Sequence, residues 1–152
     1  MDISSHADYP ASALSNFTAH PFVFDGVECA SMEGLLQSFK FEDPDEQLAV
    51  CALVGIEAKR AGRERDNAWK RVQRLWWQGR AIERNSGQYQ ELLDRAFNAL
   101  AGNHEFQQAL LDSGVEELTH FAGHDDPSET VLTEREFCSR LERIRARLLT
   151  SN

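Results

Sequence analysis

One stretch of this chain limits its fold more than any other. From Ser86 to Gly102, the residues Tyr89, Leu92, Leu93, Ala96, Phe97 and Leu100 recur at the spacing of a single helical face. Ser86 is placed to cap that helix and Gly102 to stop it. A stripe this complete must be covered by other elements. The rest of the sequence supplies them, mostly as further helices. Asn103 is placed to cap a helix through Leu111 that Gly114 ends. Thr133 and Glu136 have the spacing of a capping box before a last helix with Phe137, Leu141, Ile144 and Leu148 on one side.

The first half reads less regularly. Pro21-Phe22-Val23-Phe24-Asp25-Gly26-Val27-Glu28-Cys29 has the Asp-Gly signal of a tight hairpin. Ser31 caps a helix running to about Phe41, with Met32, Leu35, Leu36 and Phe39 on its apolar face. Short helices follow over Asp45 to Leu53 and over Ile56 to Ala61. A longer helix is predicted from near Asn67, with Trp69, Val72 and Trp76 sharing a face, and a short strand over Glu117 to Phe121. The expected fold is α+β and predominantly α-helical, with a small N-terminal β-hairpin. Residues 1–12 are expected to be a flexible N-terminus, and 13–152 a single domain. The sequence contains no internal repeat, low-complexity tract or interdomain linker.

The chain has 152 residues and a formal net charge of -9. That charge argues against non-specific binding to long nucleic acid, which needs a cationic surplus to displace counterions. It leaves room for a local basic pocket. No apolar run is long enough to span a bilayer, and Met1-Asp2-Ile3-Ser4-Ser5-His6 has no signal-peptide character. Cys29, Cys51 and Cys138 are far apart and in no CxxC spacing, which fits free thiols in a reducing cytoplasm. Cys29 has no base beside it in sequence and reads as a buried hydrophobe.

The first helix also has a polar stripe. Glu33, Gln37 and Lys40 fall at i, i+4 and i+7. By periodicity alone this is a solvated face. A wider pattern surrounds it: Leu14-Ser15-Asn16-Phe17, Pro21-Phe22, Asp25-Gly26, Ser31-Met32-Glu33 and Gln37-Ser38-Phe39-Lys40-Phe41. In order and spacing this block resembles the opening of the NADAR family of YbiA-like N-glycosidases. Ala61-Gly62-Arg63, Trp69, the stretch from Leu110 to Leu118 and Asp125 resemble later family elements. There are two departures. Gly34 stands where the family commonly has His, and Asp126 to Leu132 replaces a Trp-Gly and Gly/Asn-rich segment, so the late acid is either Asp125 or Asp126.

The resemblance implies a single YbiA-like domain that hydrolyses a ribose C1′–N bond. The implied substrates are an ADP-ribosylated base such as ADP-ribosyl-guanine, or a ribosylamino-pyrimidine phosphate of riboflavin synthesis. The partner is then a small nucleotide or a modified base in nucleic acid, not a membrane. No cofactor and no metal are expected. Breaking that bond builds positive charge on the sugar, which a carboxylate near C1′ stabilises. Glu33, Asp125 and Trp69 are the implied catalytic set: Glu33 the principal carboxylate, Asp125 the second acid, and Trp69 either a plate for the base or a core residue. Asn16, Phe17, Gln37, Lys40 and Arg63 are the implied substrate contacts. Lys40 and Arg63 suit phosphate oxygens, Arg63 alternatively pairing with Glu64 or Asp66. Asn16 either reaches a ribose hydroxyl or the base, or only closes a turn. His120 and His124 beside Asp125 and Asp126 lie in a loop without helical ligand spacing, so a metal site is not favoured. The same residues leave open a non-hydrolytic binder of an ADP-ribose-like nucleotide, and a helical interaction protein whose motif block is structural.

Overall fold

The computed structural model describes residues 1–151. Seven helices pack around two small antiparallel hairpins, so the fold is α+β and mainly helical. In chain order the elements are β1 (Phe22–Phe24), β2 (Val27–Cys29), α1 (Met32–Ser38), α2 (Pro44–Cys51), α3 (Gly55–Arg63) and α4 (Asp66–Val72). They continue with β3 (Arg74–Trp77), β4 (Arg80–Glu83), α5 (Gly87–Leu100), α6 (His104–Asp112) and α7 (Glu134–Thr150). A single 3₁₀ turn, Ser12–Leu14, precedes β1.

The strongest expectations from periodicity hold. Helix α5 buries Tyr89, Leu92, Leu93, Ala96, Phe97 and Leu100, and the Ser86 hydroxyl accepts from the Tyr89 amide. Asn103 caps α6 through the Phe106 amide. Thr133 and Glu136 close a reciprocal capping box on α7. One contiguous apolar cluster joins both hairpins to α1, α5, α6 and α7, with Phe39, Leu75 and Tyr89 near its centre. Hairpin β1–β2 forms over Asp25-Gly26, both at positive φ.

Three expectations change. The helix predicted from Asn67 through Trp76 stops at Val72, because Gln73 adopts a left-handed conformation at its C-cap. The chain then forms the hairpin β3–β4, turning through Gln78 at φ 49° and Gly79 at φ 84°. Trp76 and Trp77 therefore alternate across a strand instead of following a helix face. The strand predicted over Glu117 to Phe121 is only an isolated bridge between Thr119 and Asp2. That bridge also corrects the flexible N-terminus. Ile3 is fully buried, its amide donates to the Thr119 carbonyl at 2.8 Å, and the Thr119 amide returns a bond to Met1 at 2.9 Å. Burying Ile3 against the core anchors the first residues.

Helix α1 lies very close to the end of α2. A Cβ on Gly34 would sit 2.6 Å from the Leu53 carbonyl oxygen and 2.9 Å from that of Val50. The Ser31 hydroxyl accepts from the Gly34 amide and donates to Leu53 O at 2.9 Å. This contact fixes the helix whose other face carries the polar stripe.

Candidate active site

The stripe does not face open solvent. Glu33, Gln37 and Lys40 line a cleft of about 280 Å³. Asn16 and Phe17 form one rim. Lys59 and Arg63 of α3 and Asp66 and Lys70 of α4 form another. The far wall is the irregular segment between α6 and α7, from His120 to His124 and Glu129 to Leu132.

The cleft gathers six of the eight expected site residues: Asn16, Phe17, Glu33, Gln37, Lys40 and Arg63. It does not gather Trp69 or Asp125. Trp69 is 1% exposed and packed in the core, so neither face of its indole can receive a base. Asp125 is exposed and lines a separate groove with Glu134 and Glu142. The short loop carries His124 into the cleft and turns the next residue outward. Asp126 binds its own Ser128 and lines neither cavity. Glu129 is the acid that this segment places in the cleft.

Glu33 sits in the first turn of α1. Its amide donates to the Asn16 carbonyl at 3.1 Å, and its Oε1 accepts from Gln37 Nε2 at 2.8 Å. Burial pushes its carboxyl above the ordinary carboxylate range. The Gln37 bond and the charges of Lys40, Lys59 and His120 oppose that rise. A partly exposed carboxylate held up in this way is suited to taking a proton from water.

Gln37 is itself wedged. Its Oε1 has no hydrogen-bond partner among the described residues and abuts Gly62 of α3. The cleft's cations are divided in their commitments. Lys40 Nζ is bound to Asp66 at 2.6 Å, and burial lowers its pKa. Lys70 faces Glu129 at 3.4 Å. Lys59 and Arg63, one turn apart on exposed positions of α3, make no ion pair or hydrogen bond among the described residues. The alternative pairing of Arg63 with Glu64 or Asp66 does not form. Asn16 is also uncommitted: the side chain that closes its local turn is Ser15, which accepts from the Phe17 amide. Phe17 remains partly exposed, leaving an aromatic face at the rim.

The far wall is held by Arg84, Tyr89 and Gln73, a role the sequence did not give to any of them. Arg84, 1% exposed, donates to Thr130 O at 2.9 Å and makes two bonds to Glu136 at 2.8 and 3.1 Å. Tyr89 donates its hydroxyl proton to Val131 O. Gln73 reaches Ser128 O at 2.9 Å. Lys59 was also missed, although its i, i+4 relation to Arg63 was readable. His120 and His124 were weighed only as metal ligands.

The bacteriophage protein GP30.3 family matches residues 8–146, nearly the whole chain. The chain belongs to this family. A relative from Enterobacteria phage T4, described as an uncharacterized 17.1 kDa protein in the Gp30–rIII intergenic region, is 36% identical over 147 residues. The match covers 95% of this chain and 96% of that one. Among solved structures, the NMR structure of the E. coli protein YbiA superposes with a TM-score of 0.65. It matches at 18% identity over 99% of this chain and 85% of YbiA, a likeness of fold. Among the described residues no helix is long and apolar enough to cross a membrane.

Proposed function

We propose that this chain is a NADAR-type N-glycosidase that hydrolyses the ribose C1′–N bond of a nucleotide N-glycoside. The substrate is an ADP-ribosylated base such as ADP-ribosyl-guanine, or a ribosylamino-pyrimidine phosphate. The observation that carries this reading is the convergence of four groups on one cleft: the Glu33 carboxyl, the Phe17 ring, and the two uncommitted cations Lys59 and Arg63.

Each group has a task in that reaction. Glu33 takes a proton from the attacking water and stabilises the positive charge growing at C1′. Gln37 fixes the carboxylate through its Nε2 bond. Phe17 stacks on the base or lies against the sugar. Lys59 and Arg63 hold phosphate oxygens, with Arg63 in a two-point fork. Lys40, locked to Asp66, sets the electrostatic floor in place of the phosphate role first given to it. The overall charge of -9 favours a small nucleotide or one modified base over extended duplex contact.

The test is a panel of ADP-ribosyl-guanine and ribosylamino-pyrimidine phosphates read by mass spectrometry, with Glu33→Gln as control. Release of free base with ADP-ribose or ribose phosphate, lost in the variant, is the expected result. Full turnover by Glu33→Gln would remove the assignment. One observation favours a second reading, a binder that captures the nucleotide without cleaving it: Asp125, the implied second acid, lies outside the cleft. Calorimetric binding of ADP-ribose without turnover of any panel member over hours would select that reading.

A further inference from the structure

We infer that His120 is a second catalytic group of this cleft, the acid that protonates the departing base. The inference rests on the glycosidase reading of the site and adds to it the group that completes proton transfer.

The imidazole is held from three sides. Its Nδ1 lies 2.8 Å from the Ile3 carbonyl oxygen. A carbonyl only accepts, so Nδ1 carries a proton and donates it. The edge of the ring packs against Phe137 of α7, centroids 5.5 Å apart and planes at 84°. On another side lies Gly123, where a Cβ would come within 2.8 Å of His120 Cδ2. The backbone is fixed as well: the His120 amide donates to Glu134 Oε2 at 2.6 Å, and the bridge from Thr119 to Asp2 holds the preceding residue.

With Nδ1 committed, Nε2 is the free nitrogen. It has no partner among the described residues and is not buried, while the ring lines the same cleft as Glu33. An imidazole anchored through Nδ1 and open at Nε2 is the arrangement from which histidine works as an acid–base catalyst. No metal need be invoked for the ring's orientation, since the peptide carbonyl sets it.

The proton balance closes. Water oxygen bonds to C1′ and loses a proton to the Glu33 carboxylate. The C1′–N bond breaks and its electron pair stays on nitrogen. That nitrogen takes the proton from Nε2 of the His120 imidazolium. The chain is left with protonated Glu33 and neutral His120, and exchange with solvent restores both.

The experiment compares wild type, His120→Asn and His120→Gly on ADP-ribosyl-guanine and a ribosylamino-pyrimidine phosphate. Asparagine can still donate to Ile3 but places nothing at Nε2. Expected for His120→Asn is a fall in kcat of about 100-fold, with KM within about threefold of wild type. Added imidazole is expected to return roughly tenfold or more of the lost rate to His120→Gly. A kcat within about threefold of wild type, a loss carried in KM, or a kcat loss that imidazole does not restore each overturns the assignment of His120 alone. A wild-type chain that cleaves neither probe overturns the glycosidase reading beneath it.

Discussion

Gly62 and Gln37 are in contact so tight that any side chain at position 62 would displace the Gln37 amide: a Cβ there would fall 1.7 Å from Gln37 Oε1. The contact joins α3 to α1 and keeps the Gln37 amide turned toward Glu33. The Gly-Arg pair of α3 therefore serves the site twice. Its glycine seats the residue that orients the carboxylate, and Arg63 lines the cleft beside it.

Gly62→Ala is expected to separate activity from stability. Alanine relieves a glycine in the last turn of α3, a gain of at most about 0.5–1 kcal/mol, while the collision with Gln37 costs about 1–3 kcal/mol. The melting temperature should change by no more than about 8 °C. Displacing Gln37 frees the Glu33 carboxylate, so kcat should fall about tenfold. Calorimetry and steady-state turnover on one preparation check both halves, and unchanged turnover would break the link between Gln37 and Glu33.

Glu33→Gln should be inactive and, near neutral pH, more stable than wild type. Burial raises the Glu33 pKa in the folded chain, so the fold favours the protonated carboxyl. That stabilisation is present below the unfolded carboxylate range and is lost as pH rises through the raised value. Glutamine never ionises. The variant's advantage in denaturant midpoint should therefore grow between about pH 4 and about pH 7. A constant difference across that interval would contradict the raised pKa of the Glu33 carboxyl.

Phe17 and Trp69 should behave oppositely. Phe17→Ala removes a partly exposed ring at the rim and should raise KM about tenfold, the scale of one lost stacking contact. Its unfolding midpoint should move little. Trp69→Ala empties a core position and should cost about 3–5 kcal/mol of stability. Trp69→Phe should leave KM unchanged. A raised KM in Trp69→Phe would return the tryptophan to the site.

Gly34 explains one departure of this chain from the resemblance that first pointed to the cleft. Its missing side chain would meet the backbone oxygens of Leu53 and Val50, which cannot rotate away. Gly34→Ala should cost about 3 kcal/mol and Gly34→His more. Urea titration with an unchanged m-value and a lowered midpoint is the expected signature.

What sequence could reveal followed the range of the interactions. Helices α5, α6 and α7 were legible because their stripes and caps lie within a few residues of each other. The turn into β3 was not. Trp69, Val72 and Trp76 fit a helical period, and Gln78-Gly79 lacks the Asn or Asp that marks such a turn. In the site, the α1 stripe became readable only through the wider motif block, since Glu33, Gln37 and Lys40 alone look like a solvated face. Trp69 took the core alternative and Asp125 fell outside the cleft, for different reasons. Periodicity does not say which side of a helix meets the core, and a loop can turn neighbouring residues to opposite surfaces. Arg84 and His120 take their roles from partners 46 and 117 positions away, so local pattern was silent about both.

The anchor beneath His120 is a peptide oxygen, so it is indifferent to the identity of the third residue. Any apolar side chain able to fill the same hole would leave the imidazole equally aimed. Aligned relatives would consequently mark position 3 by hydrophobicity alone, even though the histidine's tautomer is decided there. The damaging change would be one that moves the Ile3 carbonyl itself, by breaking the pairing of the first residues with Thr119, which would release the imidazole and disarm the cleft without altering any side chain that lines it.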